Sequence, residues 1–346
     1  MFKFINVCFV VCGIFFFATG CKSPETPDSS VTAPATDQNK SVDVLKSWNE
    51  PKRGEIIAWV SDVTDSLSQN FIPKHDRIAV FDNDGTLWPE QPVPTQLIYA
   101  IDKLRSMSAD HPEWSKDEVI NGAINGDMEP VKKAGVPGLL KIINASHTNQ
   151  TVDEFKSSVK NWIDTTRNAK YDRTYRELIY QPMMELIDLL KQNKFKVFIV
   201  SGGGADFMRA WSDEVYGLAP YQVVGSYGSL KYEVVDGNPR VTKTEGDIYV
   251  DDKAGKPVAI HRFIGKVPVF CGGNSDGDQA MMQYASGSPY KSMCVILHHT
   301  DSVREYAYDL KTLSGHLESA LVEASEKNWM VVDMEKDFNR IWPFEQ

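Results

Sequence analysis

The chain has 346 residues, 42% apolar and 24% charged, the proportions of an ordinary globular protein. That length suits one large domain, or a domain with a second one inserted. Its 37 basic and 47 acidic residues leave a net charge of −10 with no Lys/Arg cluster, which excludes the electrostatic footprint of a nucleic-acid partner.

Lys3 provides a short positive start, Val7 to Ala18 is almost wholly apolar, and Ala18-Thr19-Gly20-Cys21 follows. Residues 1–21 therefore read as a signal peptide, too short for a comfortable membrane span. The Gly20-Cys21 pair resembles the end of a bacterial lipoprotein signal, although Ala18 stands where such signals prefer leucine. The resemblance implies lipidation at Cys21 and an exported envelope protein, membrane-anchored and facing the periplasm or the exterior. A plain secretory signal and an uncleaved anchor are the alternatives. Residues 22–40, rich in Pro, Ser, Thr and Asp, read as a disordered tether. Cys8 and Cys12 fall in the signal. Cys271 and Cys294 lie in apolar runs and are expected as buried, reduced neighbours on adjacent strands.

In the body, Val42 to Phe71 carries a helical apolar spacing interrupted by Pro51. Arg77 to Phe81 is a short apolar run ending in Asp82, the pattern of a buried parallel strand. Similar runs return at Phe195–Val200, Val267–Cys271 and Met293–Leu297, each ending in a polar cluster. Helical segments separate them at Pro182–Gln192, Ala205–Tyr216, Pro257–Ile264 and Asp278–Tyr284. This alternation predicts an α/β fold with a Rossmann-like parallel sheet, and such sheets bind ligands at the carboxyl ends of their strands. More than a hundred residues separate the first two strands, too many for one crossover. They carry helical patterns at Gln96–Met107, Asp117–Ile124, Val136–Ile143 and Val152–Thr166. The expected organisation is a core of residues 41–87 and 195–346 with a helical cap inserted at 88–194. Residues 221–252 read as hairpins turning at Asp236-Gly237.

Asp82 and Asp84, at i and i+2 past a buried strand, pair two like charges at one strand tip, an arrangement that calls for a cation. Gly85 allows a sharp turn. The segment Asp82-Asn83-Asp84-Gly85-Thr86-Leu87 resembles the first motif of the haloacid dehalogenase superfamily, most of whose members are phosphatases. Ser201 after Phe-Ile-Val resembles the second motif. A lysine opening a helix, then a strand and an acidic Gly-rich loop, resemble the third and fourth. The four motifs occur in order across residues 75–300.

The resemblance implies a Mg²⁺-dependent phosphomonoester hydrolase with Asp82 as nucleophile and Asp84 as general acid and base. It implies phosphate binding by Ser201, Gly202 and Gly203, and a charge-neutralising lysine. Lys256, next to Pro257 at a helix start, is favoured for that lysine over Lys253. Metal ligands are expected from Asp82, Asp84 and the loop Gly273-Asn274-Ser275-Asp276-Gly277-Asp278. There Asn274 occupies the usual first acid position, so Asn274 and Asp276 compete for the ligand role, with Asp278 as ligand or supporting acid. The likeness is greatest to the phosphoserine phosphatase branch, where an acid nine residues after the nucleophile binds the substrate amine. Here that position is Gln91, with Glu90 beside it, which speaks against phosphoserine. A small soluble phosphate ester is the expected partner. A phosphotransferase or pyrophosphatase of the same superfamily, and a ligand-binding lipoprotein without activity, are the other readings. His298-His299-Thr300-Asp301 reads as a structural polar network or a site rim, Arg209 as a surface ion pair or phosphate contact, and Trp88 as a pocket wall.

Overall fold

The computed structural model describes residues 44–312 and 314–345. Cys8, Cys12, Cys21 and the whole of 1–40, on which the signal, lipidation and tether expectations rest, lie outside the described residues. Six strands form one parallel sheet: β1 (Ile78–Phe81), β2 (Lys196–Gly204), β3 (Val223–Ser226), and, after a hairpin of β4 (Leu230–Val235) and β5 (Asn238–Lys243), β6 (Phe270–Gly273), β7 (Met293–His298) and β8 (Met330–Asp333). The spatial order is β8-β7-β6-β1-β2-β3, with every neighbouring pair parallel.

The helices in chain order are α1 (Lys52–Thr64), α2 (Thr95–Met107), α3 (Glu118–Asn125), α4 (Glu129–His147), α5 (Val152–Thr165), α6 (Gln181–Gln192), α7 (Ala205–Arg209), α8 (Ser212–Tyr216), α9 (Gly255–Ala259), α10 (Gln279–Ser286) and α11 (Ser319–Lys327). Both sheet faces are covered, as period-2 side-chain alternation in a buried strand requires. Ala79, Phe81, Val197, Ile199, Phe270, Val295 and Leu297 enter one core with α1 and α6. Ile78, Val80, Val200, Cys271, Cys294 and Ile296 enter the other, with Ile260, Met281, Met282 and Ala324. Cys271 and Cys294 are paired neighbours on β6 and β7, both buried and free.

A third core, built from Leu97, Leu104, Trp114, Ile120, Val131 and Ile142, belongs to α2–α4 alone. α6, inside the expected insertion, instead buries Met183, Leu186, Ile187 and Leu190 against the sheet and serves as the crossover into β2. Gly135, at φ 60°, kinks α4. The run Ala205–Tyr216 breaks into two short helices at Trp211 rather than forming one. Two strands escape the sequence reading, β3 and β8, because Val223-Val224 and Val331-Val332 are too short to separate from turn or helix by periodicity.

Candidate active site

The ends of β1, β2 and β6 meet at one point. Asp82 continues β1, and its N–H donates to Gly272 O on β6 (2.9 Å). The loop then closes on itself: Leu87 N–H donates to Asn83 O and Gly85 N–H to Trp88 O, both at 2.8 Å. Gly85 is required here twice over. Its φ is +76°, and an added Cβ would lie 2.1 Å from Asn274 Nδ2 and 2.2 Å from Glu90 Oε1.

Lys256, only 2% exposed, donates to Asp82 Oδ1 (2.7 Å), Asp278 Oδ1 (2.6 Å) and Val200 O (3.0 Å), using all three of its N–H groups. Lys253 is exposed at the rim. Asp278 spends its other oxygen on the N–H groups of Asn274 (2.9 Å) and Ser275 (3.1 Å), so it holds the lysine and its own loop. Trp88 does not line the cavity. Its indole N–H donates to Asp84 Oδ1 (2.9 Å) while its rings pack at a tilt of 33° against Trp211.

Across from Asp82, Ser201 lies near the end of β2, and the ladder to β3 slips between Ser201 and Gly204. Ser201 Oγ accepts from Gly203 N–H (3.1 Å), and Ser226 Oγ clamps the loop by donating to Gly202 O (2.7 Å). A Cβ on Gly203 would sit 3.2 Å from Asp84 Oδ2, so the second aspartate faces this loop. Three successive glycines leave the backbone bare beside Asp84, a segment of the kind that can form an anion-binding concavity.

Carboxylates outnumber cations at this point, and their proton affinities follow. Burial, then the charge of Asp278, push Asp82 up to about 8 against the pull of Lys256. Burial raises Asp84 against the Trp88 N–H. Burial, then Asp84, push Glu90 up to about 8. Burial disfavours the ammonium of Lys256, but Asp278 and Asp82 outweigh it and hold it charged. Oxygen donors with surplus negative charge fit a hard divalent cation such as Mg²⁺. Asp82, the Asp84 carbonyl and Asn274 would hold it. Among the described residues, no group of three or more His, Cys, Asp and Glu side chains forms a metal cluster.

Asp276 is not in that set. Its carboxylate accepts from the N–H groups of Glu318, Ser319 and Ala320 and caps α11. Asn274 instead faces the site, accepting from Thr86 Oγ1 (3.1 Å) and donating to Glu90 Oε1 (2.6 Å). Gln91 donates to Ser314 O and does not itself line the cavity, while Glu90 does. The acid thus enters one residue earlier than a nine-residue spacing expects.

Above the loops a cavity of about 570 Å³ opens between α2, α4 and the sheet. Leu97, Val136, Leu139, Leu140, Ile143 and Phe155 form an apolar wall, with Lys243 and Asp206 paired at 2.6 Å. His147 sits in this wall as a neutral ring, its pKa lowered to about 3 by burial and then by Lys243. Ser146 Oγ donates to Ile142 O and so accepts from His147 Nδ1–H. Nε2 then accepts from Gln96 Nε2, and Gln96 Oε1 accepts from Gly204 N–H (2.6 Å). This directed chain ties α4 to the anion loop. No local signal marks Gln96, His147 or Lys243 as site residues, because tertiary packing alone brings them there.

His299 belongs to a structural network that reaches the site from behind. Its ring stacks on Tyr308, with Nε2 2.6 Å from Gly85 O and Nδ1 3.1 Å from Glu305 Oε2. Asp301 caps the turn at Arg304. Arg209 donates to Pro220 O and Val223 O, anchoring β3 rather than reaching the cavity.

Residues 77–251, half of the chain, match the haloacid dehalogenase-like hydrolase family. No curated protein matches the chain. Among solved structures, a conserved, functionally unknown protein from Anaerococcus prevotii is 15% identical with a TM-score of 0.53, covering 83% of this chain and 92% of its own. A protein of unknown function from Bordetella pertussis is 15% identical (TM-score 0.43, 75% and 98% covered). A phosphoserine phosphohydrolase-like protein from Francisella tularensis is 18% identical (TM-score 0.36, 72% and 98% covered). At these identities the first likeness bears on the fold alone, and the other two carry no argument.

The carboxyl shifts set a pH dependence. Asp82 and Glu90 titrate near 4 in an unfolded chain and at about 8 when folded, so the fold binds their protons more tightly. The stability this contributes is complete below about pH 4 and is lost as pH rises through about 8. In EDTA, the melting temperature should fall between about pH 6 and about pH 9, and Mg²⁺ should reduce that fall. A metal-free melting temperature that rises across this window would contradict the charge surplus.

Proposed function

The chain belongs to the haloacid dehalogenase-like hydrolases, and from that membership we propose that it is a Mg²⁺-dependent phosphomonoesterase acting on a small phosphate ester through an aspartyl-phosphate on Asp82. One observation carries the reading. Asp82 has one oxygen held by Lys256, while among the described residues its Oδ2 has no partner, and the Ser201–Gly204 loop and Asp84 stand opposite.

Asp82 Oδ2 attacks phosphorus as the bond to the leaving oxygen breaks, and Asp84, whose raised proton affinity suits an acid, gives that oxygen its proton. Asp84 then takes a proton from water, whose oxygen bonds phosphorus as the Asp82–phosphorus bond breaks, releasing inorganic phosphate. Ser201 and the loop N–H groups bind the phosphoryl oxygens, and Lys256 balances charge at Asp82. A bound Mg²⁺ would neutralise the phosphoryl oxygens during transfer. The cap excludes water and macromolecules. Its apolar wall favours an ester whose alcohol carries an apolar part.

With an aryl phosphate, the purified full chain should release phenolate only with Mg²⁺. Asp82→Asn should lower kcat roughly a thousandfold or more. Wild-type turnover in that variant sinks the nucleophile assignment.

The body reaches the envelope on a lipid attached at Cys21, a reading supported by the order of residues 1–40 alone. Cys21→Ser should move the chain out of the lipid-anchored membrane fraction, and unchanged membrane retention and lipid labelling would dismiss the anchor.

A further inference from the structure

Among the described residues, no cation partners Glu90. It is 4% exposed, and its bonds go to neutral groups, the Asn274 amide (2.6 Å) and the Tyr308 hydroxyl (2.9 Å). The charges that bear on it, Asp84 and Asp82, have its own sign. Lys256 cannot serve it, because its three N–H groups are spent on Asp82, Asp278 and Val200. A buried carboxylate among like charges is costly unless a cation joins them.

The same corner lacks a charge that the metal site needs. Asn274 offers only a neutral amide, and Asp276 is committed to the start of α11. Glu90 and Asn274 converge beneath Gly85, where a single added Cβ would strike both within about 2.2 Å. Surplus negative charge and missing ligand charge therefore coincide in one place.

We propose that Glu90 supplies the negative charge of the divalent-cation site that Asn274 lacks, the pair together doing what one carboxylate would do. The inference rests on the metal-dependent reading above. Glu90 acts on the cation as a ligand or through one of the waters that Mg²⁺ retains, while Tyr308 and Asn274 fix its direction. The residue thereby has a role separate from substrate binding, although it lines the cavity floor.

The test uses the full chain and Mn²⁺, with free Mn²⁺ counted by electron paramagnetic resonance, so no turnover is needed. Glu90→Gln keeps the shape and removes the charge, and should weaken Mn²⁺ binding about tenfold or more. Glu90→Gln combined with Asn274→Asp returns the charge one residue away, and should restore affinity to within about threefold of wild type. Asp276→Ala, whose carboxylate is spent on the start of α11, should stay within about threefold. In EDTA above about pH 8, where Glu90 is ionised, Glu90→Gln should melt no lower than wild type, since a like charge is relieved; a merely structural glutamate would lose stability instead. Should Glu90→Gln not fold, Asn274→Asp alone decides, by binding Mn²⁺ several-fold more tightly or not. Unchanged affinity in Glu90→Gln, or no recovery in the double variant, overturns the inference. A wild-type chain that binds no Mn²⁺ overturns the metal-dependent reading itself, which separates the two failures.

Discussion

The structure depends on one buried ammonium. Lys256 stands between Asp82 and Asp278 with almost no exposure, and its third bond goes to the end of β2. Two strands and one loop are tied through it: β1 through Asp82, β2 through Val200, and the loop after β6 through Asp278. Breaking a buried pair by removing one partner leaves uncompensated charge, a cost far above that of a surface ion pair. The arrangement is therefore both the joint of the fold's active end and the reason Asp82 keeps one fixed orientation.

The same arithmetic of charge explains what surrounds the joint. One ammonium does not balance Asp82, Asp84, Glu90 and Asp278; burial raises the proton affinity of the first three, and neighbouring carboxylates add to it at Asp82 and Glu90. A site in this state is unfavourable by itself and favourable with a cation and a phosphoryl group. In the proposed reaction the Gly202–Gly204 backbone would supply the anion half of that pairing and the carboxylates the cation half. The cap adds contact to the anion half through the Gln96–His147 chain.

Much of this was legible in the sequence. A buried run ending in acid placed Asp82, and the same logic placed Ser201 and the loop after β6, because parallel strands gather their ends. Lys256 was readable from Pro257 at the helix start. What stayed hidden depends on distant contacts. Asp276 caps a helix that begins some forty residues later, so local spacing left it level with Asn274. Glu90 was passed over for Gln91 because a counted interval cannot tell which of two neighbours turns inward. Gln96 and His147 become site residues only when α2 and α4 pack over the loops. β3 and β8 are too short to announce themselves.

The central claim is that Asp82 forms a covalent bond to phosphorus. The most direct measurement is to mix the full chain with aryl phosphate and Mg²⁺, quench in acid within one turnover, and locate the added mass by peptide mass spectrometry. The account predicts a phosphoryl group on the peptide containing Asp82, absent without Mg²⁺ and absent in Asp82→Asn. Turnover accompanied by a phosphoryl group on another residue, or by that same adduct in Asp82→Asn, would contradict it.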